Sequence, residues 1–146
     1  MKPTTLHAYV AGHGVELMSS SDNVLRGGLT SKKIDVEELF STLSFYEGDV
    51  SKVKKIYHSD SFYSYDVVSD EFVFSCLEKD VHILEKRSTY EIVLVIEGKG
   101  KISWENKEIR FNKGNILLIP SIIDSYTIEN SGLVVLASVP KENENI

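Results

Sequence analysis

Residues 7–33, HAYVAGHGVELMSSSDNVLRGGLTSKK, concentrate side chains that could ligate a metal, move a proton or hold a phosphate. His7 could be a zinc ligand, a general base or a structural strand residue. His13, between Gly12 and Gly14, could pair with it across a turn, but suits an exposed hairpin tip equally well. Glu16 and Asp22 are carboxylates near an arginine, and their plain reading is a surface salt bridge. Arg26, just ahead of Gly27-Gly28, could hold a phosphate or stabilise an enolate-like oxyanion. Lys32 and Lys33 are either a solvated pair or a phosphate clamp. Spacing alone leaves all of these alternatives open.

The elements that must position these groups can be read along the chain. Residues 4–10 read as a strand, broken by the turn at Gly12-His13-Gly14, and residues 15–20 as a second short strand. Ser21-Asp22-Asn23 are turn formers, and the paired glycines 27 and 28 mark a tight bend or a close backbone approach to a ligand. Residues 34–45 read as a helix, with Asp35 as its cap and Glu37 and Glu38 in its first turn. Val36, Leu39, Phe40 and Leu43 recur at three- and four-residue spacing and give it one apolar face. From residue 50 onward the chain reads as β throughout. Strands are expected at 54–57, 72–77, 81–84, 90–96, 100–104, 107–111, 116–119, 125–129 and 133–139. Glu97-Gly98-Lys99-Gly100, Glu105-Asn106, Asn112-Lys113-Gly114 and Asn130-Ser131-Gly132 punctuate them, as in an antiparallel sandwich or barrel. The tail 141–146 is polar and expected to fray.

Composition narrows the classes of function. A chain of 146 residues with 42% hydrophobic content can bury a real core. A net charge of −6 argues against nonspecific binding to nucleic acid or an anionic membrane, both of which need a basic face. The single cysteine, Cys76, excludes an internal disulfide and suits a reducing cytosol. No apolar run approaches the roughly 18–20 residues of a spanning helix, and the N-terminus lacks the apolar core of a signal peptide. The reading is of a soluble, cytoplasmic protein.

Two resemblances add to this. Residues 90–120 resemble the core of a cupin, a double-stranded β-helix barrel, through Glu91, six residues, Gly98, then Gly114, five residues, Pro120. Metal-binding cupins place two histidines shortly before the Glu91 position, where this chain has Leu84-Glu85-Lys86-Arg87-Ser88. They place a third five residues after the proline, where it has Ser125. This barrel is therefore not expected to hold a metal in the usual way. His82 and His58 read as surface or core-edge residues, since one isolated imidazole is not a site.

The second resemblance is longer. The run through His7-Ala8-Tyr9, Gly12, Glu16, Met18, Ser21-Asp22-Asn23, Arg26, Gly28, Thr30 and Lys32 is similar to the signature of the type I mannose-6-phosphate isomerases. It departs from that signature at Ser19, Gly27 and Ser31, none of which removes a charged or ligating group. That family interconverts mannose 6-phosphate and fructose 6-phosphate with one zinc ion. The resemblance implies that His7 is a zinc ligand and Arg26 the catalytic arginine, with Tyr9, Glu16, Asp22 and Lys32 lining the substrate pocket. The family's other zinc ligands, a Gln, a His and a Glu, would lie ahead of Met1.

The implied fold class is mainly β: a cupin-like double-stranded β-helix barrel at residues 50–140 and a connecting helix and linker at 34–49. Residues 1–33 would be the closing strands of a truncated second barrel. The implied partners are a phosphorylated hexose and an N-terminal half supplied as a separate chain, without which the chain is expected to be inactive. No nucleic acid and no membrane are implied. The alternatives are a noncatalytic cupin-like module that binds sugar or mediates interaction, and a self-assembling structural domain.

Overall fold

The computed structural model describes residues 7–20, 24–28, 30–44, 52–67, 69–85 and 89–140. The chain divides into two units, Met1–Ser51 and Lys52–Ile146.

Among the described residues of the first unit the regular element is helix α1, Val36–Thr42. Its cap is the expected one: the Asp35 carboxylate accepts from the Glu38 amide at 3.1 Å, and Glu37 and Glu38 sit beside the positive end of the helix. The helix stops three residues earlier than its apolar periodicity predicts. Ser41 Oγ and Thr42 Oγ1 both donate to the Glu38 carbonyl, and such local bonds compete with the helical ladder. Leu43 then turns extended, and its amide closes the end on the Leu39 carbonyl. Of the expected apolar face, Leu39 is buried, while Val36 and Phe40 are exposed. The strands expected at 4–10 and 15–20 do not appear among the described residues, which start at 7 here. A strand exists only where its backbone groups pair with a neighbour, and alternation in sequence does not provide one.

The described residues of the second unit form ten strands. They are β1 Lys55–Ser59, β2 Phe62–Tyr65, β3 Val73–Leu77, β4 Asp80–Glu85, β5 Glu91–Val95, β6 Lys99–Trp104, β7 Lys107–Asn112, β8 Ile116–Ile119, β9 Ser125–Asn130 and β10 Val134–Ser138. One six-stranded sheet has the order β1-β2-β3-β10-β5-β8, and a four-stranded sheet the order β4-β9-β6-β7. The pairs β3–β10, β4–β9, β5–β8 and β6–β7 are nested, as in a single long hairpin coiled so that successive turns fall in alternate sheets. That is the jelly-roll form of the double-stranded β-helix, so the mainly β, cupin-like expectation holds. Among the described residues the two sheets share no strand pairing, and the barrel is a two-sheet sandwich.

Alternation built these strands. On β4, His82 and Leu84 face inward between exposed Val81, Ile83 and Glu85. On β9, Tyr126, Ile128 and Asn130 do the same. The inner faces meet in one core. Leu77, Val93, Val95, Ile119, Val134 and Leu136 come from the larger sheet, and Leu84, Ile102, Phe111, Tyr126 and Ile128 from the smaller. β10 is central and apolar on both sides, since Val135 joins Tyr63 and Cys76 in a second cluster on the outer face. Among the described residues, no helix is long and apolar enough to cross a membrane.

Candidate functional site

The residues singled out in sequence lie in the first unit. His7, Tyr9, Glu16 and Lys32 are exposed and Arg26 is half-buried, while Asp22 lies outside the described residues. Gly12, with φ +111°, makes the bend at which the expected turn falls. The chain folds back there closely enough that a Cβ on Gly14 would stand 4.0 Å from Tyr9 Cε1. Gly28, with φ +153°, makes the second bend, two residues after Arg26. Lys32 follows a turn in which its amide donates to Thr30 Oγ1 at 3.2 Å. These bends set the aromatic ring, the guanidinium and the ammonium on one short, irregular segment.

No group of three or more His, Cys, Asp or Glu side chains that could hold a metal occurs among the described residues. The donors among the described residues therefore do not make up a complete zinc site. His7 brings one imidazole, and catalytic zinc needs three protein ligands.

The second unit holds a different polar constellation. Glu91, the acidic residue of the glycine-spaced motif, is buried on the inner face of β5 and accepts a 2.6 Å hydrogen bond from Tyr126 Oη. The bond crosses between the sheets, from β9 to β5. Tyr126 is the neighbour of Ser125, the position at which metal-binding cupins carry an imidazole. His82 is buried rather than at the surface, and its Nε2 donates to the Glu78 carbonyl at 2.8 Å. Asn130 Nδ2 donates to the same carbonyl at 3.1 Å, so this imidazole is engaged in holding the start of β4 against the end of β9. His58 is exposed, with its ring 4.6 Å from that of Phe62 and its Nε2 sharing a 2.9 Å hydrogen bond with Ser64 Oγ. A shallow cleft of about 190 Å³ lies over the end of the smaller sheet, between Ile83, Ser103, Trp104, Glu105 and Ser125–Thr127.

Comparison with known proteins decides the family. The profile of the cupin domain of mannose-6-phosphate isomerase matches residues 61–139, more than half of the chain. The chain belongs to the mannose-6-phosphate isomerase family. Mannose-6-phosphate isomerase 2 of Arabidopsis thaliana is 33% identical over 138 residues, covering 89% of this chain and 30% of that protein. The mannose-6-phosphate isomerase of Escherichia coli K12 is 26% identical over 130 residues, covering 88% of this chain and 33% of that protein. The crystal structure of mannose 6-phosphate isomerase from Salmonella typhimurium, bound to fructose 6-phosphate and zinc, superposes with a TM-score of 0.73 at 21% identity. That superposition covers 84% of this chain and 32% of the Salmonella chain, and it shows that the fold is shared.

The chain thus spans about a third of the length of the isomerases it matches. Both alignments cover more of it than residues 52–146 make up, so they run into the first unit. Membership of the family was legible in sequence, through the resemblance carried by residues 7–32. Tyr126 as the partner of Glu91 was not, because only the packing of two sheets brings these residues together.

Proposed function

We propose that this chain supplies the C-terminal part of a mannose-6-phosphate isomerase. In this reading residues 1–33 close the catalytic barrel, 34–49 form a helix and linker, and 50–140 form a supporting cupin-like domain. The observation that supports it best is a combination: a matched isomerase domain at 61–139 and, ahead of it, a segment that carries His7 and Arg26. That segment pairs with no strand among the described residues, as a wall completed by other strands would.

The reaction moves a proton between C1 and C2 of the sugar phosphate through a cis-enediol, with negative charge growing on oxygen. Arg26 would carry the main electrostatic role, because a planar, permanently charged guanidinium stabilises that oxygen without being deprotonated. A neighbouring carboxylate or imidazole would shuttle the proton. Glu16, Asp22, Tyr9 and Lys32 would line the pocket, and Lys32 has the charge to meet the phosphate. Zinc, when bound, would polarise the carbonyl and hydroxyl oxygens, with His7 as one of its donors and the others from the N-terminal part. The chain by itself would be inactive. A cytoplasmic location suits this role.

A complementation experiment tests the reading. Residues 1–146 are assayed alone, then joined in place of the aligned third of the Arabidopsis isomerase, with zinc content and turnover measured each time. The chain alone is expected to hold no stoichiometric zinc and show no turnover, and the chimera to show both. Arg26→Ala in the chimera is expected to lower kcat by about 10²–10³-fold, as loss of one oxyanion-stabilising group does. Stoichiometric zinc in the isolated chain, or a chimera indifferent to Arg26→Ala, would sink the proposal.

A further inference from the structure

Four adjacent strands of the six-stranded sheet each place one polar side chain on the inner face, and together these make a line. Ser64 on β2 stands opposite Ser75 on β3. Ser75 stands opposite Leu136 on β10, so Ser138 lies two residues further along the same face. The β10–β5 register, which sets Ala137 against Ile92, brings Ser138 level with Glu91. Alternation confirms the direction: the intervening Cys76 and Val135 belong to the outer cluster, while Leu77, Val134 and Leu136 belong to the inner core.

The two ends of the line are satisfied. Ser64 Oγ shares its bond with His58 Nε2, and Glu91 Oε2 accepts from Tyr126 Oη. Its middle is not. Ser75 and Ser138, 1% and 5% exposed, have hydroxyls with no hydrogen-bond partner among the described residues. Two orphaned hydroxyls on neighbouring strands are an uncommon feature of a native core, and each is costly without a partner. Of their inner-face neighbours, Val73, Leu77, Leu136 and Val93 offer nothing polar, while Ser64 and Glu91 bond to His58 and Tyr126 and not to them. Diagonal neighbours of this kind have Cα atoms about 7–8 Å apart, a gap that one small molecule can bridge with two ordinary hydrogen bonds.

The chemistry of that molecule follows from its surroundings. Each serine hydroxyl can donate or accept, so a group that does both can bond to the two in any combination. An anion would sit beside the Glu91 carboxylate, and a cation between two serines would lack the oxygen ligands a desolvated ion needs. We infer that Ser75 and Ser138 form a buried binding site for one neutral hydroxyl group, supplied by a water molecule or by a small polyol. The bound group bridges Ser75 and Ser138 in the middle of a polar line whose ends are the His58–Ser64 and Tyr126–Glu91 hydrogen bonds. This site uses only residues 58–138 and does not depend on the catalytic role proposed above.

Crystals of residues 1–146, grown without polyol and then soaked in glycerol, test it directly. Density is expected within about 2.7–3.2 Å of both Oγ atoms. A single peak in both crystals identifies water, and an extended peak after soaking identifies the polyol; either supports the site. In solution, Ser75→Ala and Ser138→Ala should each lower the urea midpoint, while the double variant loses less than the sum, because the shared partner leaves only once. The absence of density in both crystals overturns the inference. So do two single losses that simply add in the double variant. The crystals provide the answer should a variant fail to fold.

Discussion

At Gly100 the backbone of β6 passes so close to β9 and the core that a side chain has no room. A Cβ there would collide with the Glu129 carbonyl and stand 2.7 Å from Phe111 Cζ, whose ring is almost fully buried. Gly114 presents the opposite case: its φ is +86°, but nothing lies within 4 Å of the added atom. Gly100→Ala is therefore expected to cost about 3 kcal/mol or more by overpacking. Gly114→Ala should cost only about 1–2 kcal/mol of left-handed strain, and Gly114→Asn less still. Urea titration read from Trp104, the single tryptophan, ranks them, and equal losses at the two glycines would refute the distinction. Tyr126→Phe removes the 2.6 Å bond to the buried Glu91 carboxylate and is expected to cost about 1.5–3 kcal/mol in the same titration. A loss below about 0.5 kcal/mol would show that the bond contributes no net stability. Glu91 and its spacing to Gly98 were legible in sequence, because a turn imposes a fixed offset along the chain. Tyr126, Ser75 and Ser138 were not, because their neighbours are set by pairing between distant strands.

The elements divide along the same line. β5 to β10 were readable because alternating apolar positions and glycine turns are local signals, and each observed bound lies within one residue of the expected one. β2, Phe62–Tyr65, was missed: two of its inward positions are Phe62 and Ser64, so its alternation carries little contrast in hydropathy. The outer faces of the two sheets also differ. On the smaller sheet Lys101 lies 3.6 Å from Glu108 and 3.7 Å from Glu129, a solvated charge row of the ordinary kind. On the larger sheet Tyr63, Cys76 and Val135 are buried, and Lys55 Nζ sits 3.7 Å over the Tyr63 ring. A hydrogen bond with Tyr63 pushes the Lys55 ammonium up, and burial pushes the Cys76 thiol up. Burial also pushes the Tyr63 phenol from 10.0 up to about 12. In each case folding favours the protonated form. The stability these groups contribute is therefore complete below their unfolded pKa values and lost as pH rises through the folded ones. Stability should fall between about pH 10 and 12, and Tyr63→Phe, which also removes the hydrogen bond acting on Lys55, should flatten that fall. A variant that loses stability as steeply as the parent over this range would contradict the assignment.

Across the whole molecule, the nested pairing of strands has a kinetic consequence as well as a structural one. β3 must find β10, and β4 must find β9, before the inner faces can close on Leu77, Ile102, Phe111 and Ile128. Such pairings bring distant parts of the chain together and lose loop entropy before they gain burial, so jelly-roll sandwiches fold in milliseconds to seconds rather than microseconds. Among the described residues, both apolar clusters are drawn from residues 62–136 and every strand ladder lies within Lys52–Ile146. A segment that carries the described core clusters and strand ladders should fold without further sequence. Residues 52–146 expressed alone are therefore expected to unfold in urea in one cooperative transition, with half-buried Trp104 moving to water only at that step. Refolding followed at Trp104 should be a single slow phase. A broad, non-cooperative transition, or Trp104 already solvated without denaturant, would mean that the sandwich needs residues outside 52–146 to close its core. It would also recast the family's cupin domain, matched here at 61–139, as a surface that folds only with the rest of the isomerase.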